Sequence, residues 1–339
     1  MSFASLAEAL AGLVLASFTL RDVFHTAVVP GESRGHLRIA RRLVFATLPL
    51  WKRMRPGGVS VEFAPLVLVA SFAVWMALLI LAFGLMAHAV RGSFVPALAD
   101  LGDGLYVAGS SMTTIGFGSR QAHGPAAVVA VLAGFCGLAV MTLAVTYLLQ
   151  VQGNIATRDT GVLRISTAAG QPPCALVLLE RYARLDCRDE LLEVLQRGRE
   201  WCAVVLQSHA SHPSLIYFRS ARTETGWPAA LGTLMDLALI ADRLIEWPQA
   251  RGPAALVRSE ADRLAQGLGE LLRLQPAAAA VPAGAVDALL ARLAAAGYSV
   301  RRDPDVAAFL AARSRHVGPI HALSEHLGTP SAPLLPGAG

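Results

Sequence analysis

The sequence predicts an all-α membrane protein with a helical soluble domain in its C-terminal half. Residues 63–87 and 125–149 carry no charged side chain, and each exceeds the roughly 20 apolar residues that a helix needs to cross a bilayer. Apolar residues make up 54% of the chain and charged residues 16%, a balance that leans towards a membrane protein. Beyond residue 158, Leu, Val and Ala recur at helical spacing between charged residues, which is typical of soluble helices.

Residues 1–30 contain a third apolar stretch, at 3–20, which predicts an additional N-terminal membrane helix. Glu8 interrupts this stretch, and Arg21 and Asp22 follow it directly. A cleaved signal peptide is the alternative interpretation. The stretch lacks the basic start and the small-residue cleavage site of a signal peptide, so a retained helix is favoured.

Residues 31–60 form a basic linker in which Glu32 is the one acid. Basic loops stay on the cytoplasmic side of a membrane, so this composition predicts a cytoplasmic linker. Within it, residues 37–51 mix arginine with apolar side chains and form either an amphipathic helix on the membrane surface or a solvated connector. The same clustering explains the net charge of +5, so no nucleic-acid partner is expected.

With this linker inside, the helix at 63–87 runs outward and the helix at 125–149 returns to the cytoplasm. The chain is then a multi-pass protein of the cell membrane, inner or plasma, with lipid around residues 61–150. Residues 158–328 form a helical cytoplasmic domain by the same topology. Residues 329–339 are predicted to be a disordered tail because of their proline and glycine content.

A short polar motif lies between the two long apolar helices, on the outer side of the predicted membrane. It consists of Thr113, Thr114, Ile115, Gly116, Phe117 and Gly118. Gly116 and Gly118 lack a β-carbon, so they can adopt the left-handed backbone that turns successive carbonyls towards one axis. Stacked carbonyl oxygens of this kind replace the water around a potassium ion. The predicted ligands are the backbone oxygens of Thr114, Ile115, Gly116 and Phe117, with the Thr114 hydroxyl, and Thr113 and Gly118 flank them.

The run from Asp103 to Gly118 resembles the pore-helix and filter signature of potassium channels, particularly the bacterial two-transmembrane pore-loop type. The resemblance covers residues 61–150 and implies an outer helix at 63–87, a pore helix at about 100–112, a filter at 113–118 and an inner helix at 125–149. Since the motif occurs once, a pore lined by four loops requires four chains, and the resemblance therefore implies a homotetramer.

Two features depart from the usual signature of that family. Phe117 replaces the more frequent tyrosine, which removes a hydroxyl behind the filter but leaves the coordinating carbonyl. Ser119 stands where an aspartate usually follows, and Ser110 stands where some members place the glutamate that bonds to it. Both acids of this filter bracket are thus absent, so we expect a less rigid outer mouth with altered inactivation, more than a change in ion choice.

The inner helix carries the candidate gate residues. Gly134 and Gly137 lie in its middle, where a glycine permits either a hinge or a close helix contact. Thr142 and Thr146 are four residues apart on one face. Their hydroxyls either line the water-filled cavity or bond back to their own helix.

The C-terminal half shows no nucleophile–base arrangement and no metal-type cysteine spacing, so no enzyme activity and no cofactor are expected. Asp236 in an apolar helix predicts a buried polar contact between helices. A metal or pH sensor would need clustered histidines, but we expect ordinary surface positions for His209, His212, His316, His321 and His326.

Together these observations predict passive, potassium-selective conduction through a homotetramer, with the permeant K⁺ as the bound metal ion. The helical domain would modulate the gate or stabilise assembly. A weakly selective cation channel and a non-conducting membrane sensor or scaffold that retains a pore fold remain as alternatives.

Overall fold

The computed structural model is mostly helical and divides into two compact units. The N-terminal unit comprises Met1–Pro49 with Pro65–Val151, and the C-terminal unit comprises Leu50–Ala64 with Gln152–Gly339. The structure describes residues 2–29, 39–54, 62–116, 120–218, 220, 226–275 and 282–337.

Three of the described helices are long and apolar enough to cross a membrane: α1 (Phe3–Ala27), α3 (Phe63–Ala89) and α5 (Pro125–Ala169). The expected N-terminal helix is therefore present as a third candidate span. The expected inner helix begins at Pro125 but continues 20 residues beyond residue 149, as one helix of 45 residues. No proline interrupts residues 150–169, and the helix ends where Gly170 adopts a φ of +83°.

Polar contacts with α3 explain the charges that interrupt or follow the N-terminal apolar stretch. The Glu8 carboxylate lies 2.9 Å from Nδ1 of His88, and the indole N–H of Trp75 donates to the Asp22 carboxylate at 2.8 Å. Between these two contacts, Gly12 lies so close to the backbone of Ala82 that a β-carbon would overlap the carbonyl oxygen. The two helices thus touch backbone to backbone, and the half-buried Glu8 and the buried Asp22 each have a partner on α3.

Helix α2 (Ile39–Met54) corresponds to the amphipathic segment of the basic linker. Its first N–H, that of Ile39, donates to the Asp22 carboxylate at 3.2 Å. Leu48 is buried and Leu50 is exposed. The helical alternative for this segment is therefore the one that the structure contains.

The segment between α3 and α5 is short and ordered by a two-stranded sheet. Strand β1 (Phe94–Val95) pairs antiparallel with β2 (Gln121–Ala122), with Phe94 opposite Ala122. Between the strands lies helix α4 (Leu101–Met112), which agrees with the expected pore helix to within one residue at its start. The buried core of the N-terminal unit joins α1, α3, α4 and α5 through Val23, Trp75, Leu79, Met112 and Val140.

The C-terminal unit is a bundle around helix α8 (Trp227–Arg243), in which every residue from 227 to 241 is buried. The surrounding helices contact α8 directly or each other. They are α6 (Ala175–Arg184), α7 (Glu190–Ser211), α9 (Pro248–Leu272), α10 (Ala285–Ala295) and α11 (Val306–Leu327). The almost uninterrupted apolar composition of α8 explains why it occupies the centre.

The expected polar contact of Asp236 is an ion pair within this core. The Arg313 guanidinium donates to both carboxylate oxygens of Asp236, and Nε2 of His316 lies 3.0 Å from Oδ1. The surface prediction is wrong for His316, His209 and His212, which are 3%, 1% and 6% exposed. Helix packing, which spacing along one helix does not reveal, places all three inside. Burial, with Arg158 nearby, lowers the pKa of His209 to about 3, so this imidazole is neutral.

Residues 329–337 differ from the expected disordered tail. Leu334 is buried, and its carbonyl accepts a hydrogen bond from the Cys174 thiol at 3.5 Å. The Ser331 hydroxyl lies 2.9 Å from Nδ1 of His321, and Ala332 packs against Gly232 of α8. The proline-rich composition favours an extended segment, but Leu334 and Ala332 supply enough apolar surface to dock it.

Candidate ion-conduction site

Helix α4 is oriented by its N-terminal cap. The carboxylate of Asp100, the N-cap residue, accepts the N–H of Asp103 at 2.9 Å. Asp103 itself lies in the first turn, where an acid interacts favourably with the positive end of the helix dipole. The helix ends at Met112, so its negative end meets Thr113 and Thr114, the first residues of the candidate filter.

Glycine contacts hold α4 between its neighbours. A β-carbon on Gly104 would lie 2.7 Å from the carbonyl oxygen of Gly84 in α3. A β-carbon on Gly137 of α5 would overlap the backbone of Met112, whose side chain is fully buried. Both approaches are possible only without a side chain, because real Cβ contacts are longer. The end of α4 that precedes the candidate filter is therefore fixed directly against α5.

This contact favours packing over a hinge for Gly137. Gly134 is less constrained, since a β-carbon there would lie 3.4 Å from the Ser111 carbonyl oxygen. Helix α5 runs through both glycines without interruption. A hinge at either position remains a prediction about another state of the helix.

The backbone φ angle alternates in sign along the candidate filter. Thr114 has a φ of +59° and Gly116 a φ of +82°, whereas Ile115 between them is not in the left-handed region. The N–H groups of Ile115 and Gly116 both donate to the Ser110 carbonyl, at 3.0 and 3.2 Å. Two successive amides are thus turned back towards α4.

The direction of these amides fixes the direction of two carbonyls. In a trans peptide the C=O of one residue points opposite to the N–H of the next. The carbonyls of Thr114 and Ile115 therefore both point away from α4, to the same side of the chain. Ile115 is 78% exposed in the single chain. Adjacent carbonyls that point to one side are the arrangement that a dehydrated cation requires.

The threonine hydroxyls are compatible with this arrangement. The Thr113 hydroxyl donates to the Gly109 carbonyl at 2.7 Å, and the Thr114 hydroxyl donates to the Thr113 carbonyl at 2.7 Å. A hydroxyl that has donated its proton keeps its lone pairs. The Thr114 oxygen thus remains available to a cation.

The rest of the predicted filter lies outside the described residues, namely Phe117, Gly118 and Ser119. The other member of the proposed bracket, Ser110, is 6% exposed and holds the filter amides through its main-chain carbonyl. The predicted loss of the bracket concerns the Ser110 side chain and stays a prediction. The main chain of Ser110 supports the candidate filter whatever its side chain.

An ion pair that the sequence argument missed joins the two ends of the filter loop. The Arg120 guanidinium donates to Asp103 at 2.9 Å, and the second carboxylate oxygen of Asp103 accepts the Ala99 N–H at 2.9 Å. The Ala99 and Arg120 hydrogen bonds lower the pKa of Asp103, so the carboxylate is charged at neutral pH. The sequence offered one sign of this ion pair, namely an acid at the start of the pore helix and a base just after the candidate filter.

Further along α5, the hydroxyls of Thr142 and Thr146 bond back to their own helix. Thr142 donates to the Leu138 carbonyl at 2.8 Å and Thr146 to the Thr142 carbonyl at 2.9 Å. Both threonines are exposed in the single chain. Because a back-bonded hydroxyl still presents its oxygen outward, a cavity-lining role remains a prediction.

Comparison with known proteins adds one match to this geometry. A protein-family model described as "Ion channel" matches residues 75–152. This range contains most of α3, all of α4, the candidate filter and the first part of α5. No curated protein and no solved structure matches the chain. The chain therefore carries an ion-channel domain, which points to a membrane channel rather than an enzyme.

Proposed function

We propose that the chain is one subunit of a homotetrameric, potassium-selective channel that conducts K⁺ passively. The observation that carries this proposal is the pair of amides, on Ile115 and Gly116, that bond to the Ser110 carbonyl. They turn the carbonyls of Thr114 and Ile115 to one side. Four copies of this loop around an axis surround an ion with two rings of carbonyl oxygens, which replace its hydration shell. Gly116 and Phe117 supply the further oxygens.

The tetramer follows from the number of loops. Each chain has one TTIGFG motif, and closed cyclic symmetry is the ordinary way for copies of one chain to enclose an axis. The single chain also exposes a large apolar surface on α5, which neighbouring subunits and lipid would cover. This surface includes Val131, Phe135, Leu138 and Val145.

Charge and orientation support a cation pathway. The carboxyl end of α4 meets the filter, so the negative end of its dipole favours a cation beneath the filter. By the positive-inside rule the basic linker at 31–60 is cytoplasmic, so the filter lies towards the outer side of the membrane. The C-terminal unit is then cytoplasmic, and the protein belongs in the cell membrane.

The test measures ion flux through the purified protein in liposomes. Gly116→Ala places a side chain at a φ of +82°, where an L-residue is strained, and we expect selective K⁺ flux to be lost. Gly124→Ala is the matched control, because Gly124 also has a positive φ, of +52°, and open space around it, but lies outside the filter. Unchanged flux in Gly116→Ala, or loss of equal size in the control, contradicts the proposal.

Ion substitution separates the competing functions in the same preparation. A potassium channel passes K⁺ in strong preference to Na⁺. Equal Na⁺ and K⁺ permeability of the wild type would identify a weakly selective cation channel instead. Absence of flux from correctly assembled protein would identify a non-conducting sensor or scaffold.

A further inference from the structure

We infer that the 3₁₀ turn Pro213–Tyr217, between α7 and α8, is the element through which the C-terminal unit acts on the gate. The turn is fastened to the C-terminal extension of α5 and to the first residue of α3. The inference goes beyond conduction itself, although its assay rests on the proposed channel function. It assigns a role to residues that lie outside the filter and outside the matched ion-channel range.

The first fastening is a buried arginine on α5. Arg158 is 1% exposed, and its guanidinium donates to the carbonyls of Leu215 at 3.1 Å and Phe218 at 2.8 Å. Its Nε donates to Asp159 at 3.0 Å, and the same Asp159 oxygen accepts the Ser220 hydroxyl at 2.8 Å. Arg158 and Asp159 thus bind the turn and the residues that follow it through charge-assisted hydrogen bonds.

Helix α7 fixes the rotation of α5 at the same level. The Trp201 indole donates to the main-chain carbonyl of Arg158 at 3.0 Å. The Trp201 ring also occupies the space where a β-carbon on Gly161 would lie. The guanidinium and the indole together hold this part of α5, so it cannot rotate without disturbing its contacts with the turn and with α7.

The second fastening is aromatic and reaches α3. The ring of Tyr217 meets the ring of Phe63 edge to face, with 6.3 Å between the centroids. Phe63 is 1% exposed and also contacts the Trp51 ring of α2, at 5.5 Å. On its other side Tyr217 contacts His326 of α11, at 5.8 Å. One short turn therefore contacts α3, α5 and α11, and Phe63 in turn contacts α2.

Simple packing does not account for the buried arginine. Removing a guanidinium from water costs several kcal/mol, and an apolar residue of similar volume fills such a site at lower cost. The arginine contributes geometric specificity instead, because its planar guanidinium can donate to the two carbonyls only when they lie in one arrangement. Arg158 therefore specifies the position of α5 relative to the turn more than it stabilises the unit.

Helix continuity carries the effect towards the pore. Helix α5 is a single helix from Pro125 to Ala169, and α3 begins at Phe63 and continues to Ala89. Both enter the ion-channel domain, and α5 touches the end of α4 at Gly137. A displacement of the turn would therefore move both α3 and α5. Packed elements of this kind switch between discrete arrangements rather than deform gradually.

Single-channel recording in planar bilayers with K⁺ tests the coupling. Phe63→Leu and Tyr217→Leu each remove one ring of the pair, and we expect the same direction of shift in open probability from both. In the double variant the shift is smaller than the sum of the two single shifts, and the difference corresponds to a coupling of roughly twofold to tenfold in the open–closed equilibrium, as for aromatic pairs. Unitary conductance and K⁺/Na⁺ selectivity stay at the wild-type values, because the filter is untouched.

Two controls separate coupling from general destabilisation. Arg292→Gln breaks the bidentate bond between α10 and Glu180 of α6, in the same unit but away from the turn, and should leave open probability unchanged. Arg158→Lys keeps the charge but lacks the planar guanidinium, so it should shift the open probability in the same direction as Tyr217→Leu.

The outcomes are distinguishable. Additive effects of Phe63→Leu and Tyr217→Leu, or an equal shift in Arg292→Gln, would overturn the inference while leaving conduction intact. A wild type that conducts no K⁺ would instead overturn the proposed function. Altered conductance or selectivity in Tyr217→Leu would also count against the inference, because it would place the effect in the filter rather than in the gate.

Discussion

Substitution of Gly137 by alanine distinguishes a packing glycine from a hinge glycine in α5. A β-carbon at this position would overlap the Met112 carbonyl oxygen and lie 2.6 Å from the Met112 Cα. The obstacle is backbone at the end of α4, so the clash cannot be relieved by a rotamer change. Overpacking of this kind costs about 1–3 kcal/mol. Alanine also gains about 1 kcal/mol of helix propensity over glycine, so the expected net effect is a loss of up to about 2 kcal/mol.

Gly134→Ala is the matched comparison, three residues earlier on the same helix. Its β-carbon would lie 3.4 Å from the Ser111 carbonyl oxygen, which a shift of a few tenths of an ångström accommodates. The helix-propensity gain of about 1 kcal/mol then dominates, and Gly134→Ala should be as stable as the wild type or more stable. The two variants isolate the close contact, because both remove a glycine from the middle of the inner helix.

The measurement is thermal unfolding of the purified assembly, followed by K⁺ flux in liposomes. We expect a lower melting temperature and reduced selective flux for Gly137→Ala, since the clash moves the end of α4 that carries the filter. A free hinge predicts the reverse, namely a more stable Gly137→Ala whose flux falls only because the helix no longer bends. Equal or higher stability of Gly137→Ala than of Gly134→Ala would refute the packing argument.

Further perturbations test two ion pairs, Asp103–Arg120 and Asp236–Arg313. Asp103→Asn and Arg120→Gln should each speed the loss of current during sustained conduction without changing ion selectivity, as single-channel recording would show. Because the native pKa of Asp103 is depressed, its bond to Arg120 is complete above the ordinary value of about 3.9 and is lost as pH falls through the lower native value. Acidification of the outer side to well below about pH 4 should therefore mimic Asp103→Asn, and sensitivity that begins near neutral pH would contradict this assignment. In the C-terminal unit, Asp236→Asn leaves the Arg313 charge buried without its partner, which costs about 3–5 kcal/mol, so the melting temperature should fall clearly while unitary conductance does not change.

The apolar spans were predictable from the sequence because length and absence of charge determine whether a helix can cross a bilayer. The starts of α3 and α5 agree with the predicted residues, Phe63 and Pro125. The end of α5 was not predictable in the same way. The apolar composition ends near residue 149, but the helix continues until a residue interrupts it. That residue is Gly170, which has a positive φ directly after Ala169.

Contacts between distant residues explain what the sequence did not reveal. Arg120 and Asp103 lie 17 positions apart, and nothing in either local pattern shows that β1 and β2 bring the ends of the filter loop together. The buried histidines are a similar case. His209 and His316 are on different helices, each amphipathic by itself, and their burial depends on how the helices pack around α8.

Ser110 shows that residue identity alone does not reveal how the candidate filter is held. The absence of an acid at this position predicts a less rigid filter mouth, which stays a prediction. Independently of the side chain, the Ser110 carbonyl accepts two filter amides, and any residue has a carbonyl. Ser110→Ala should therefore conduct K⁺ with wild-type selectivity, because both hydrogen bonds survive the change. The control is Gly116→Ala, which alters the backbone that those bonds position. Flux and ion-substitution measurements in liposomes decide the matter, and a loss of selectivity in Ser110→Ala would show that the side chain, rather than the main chain, supports the filter.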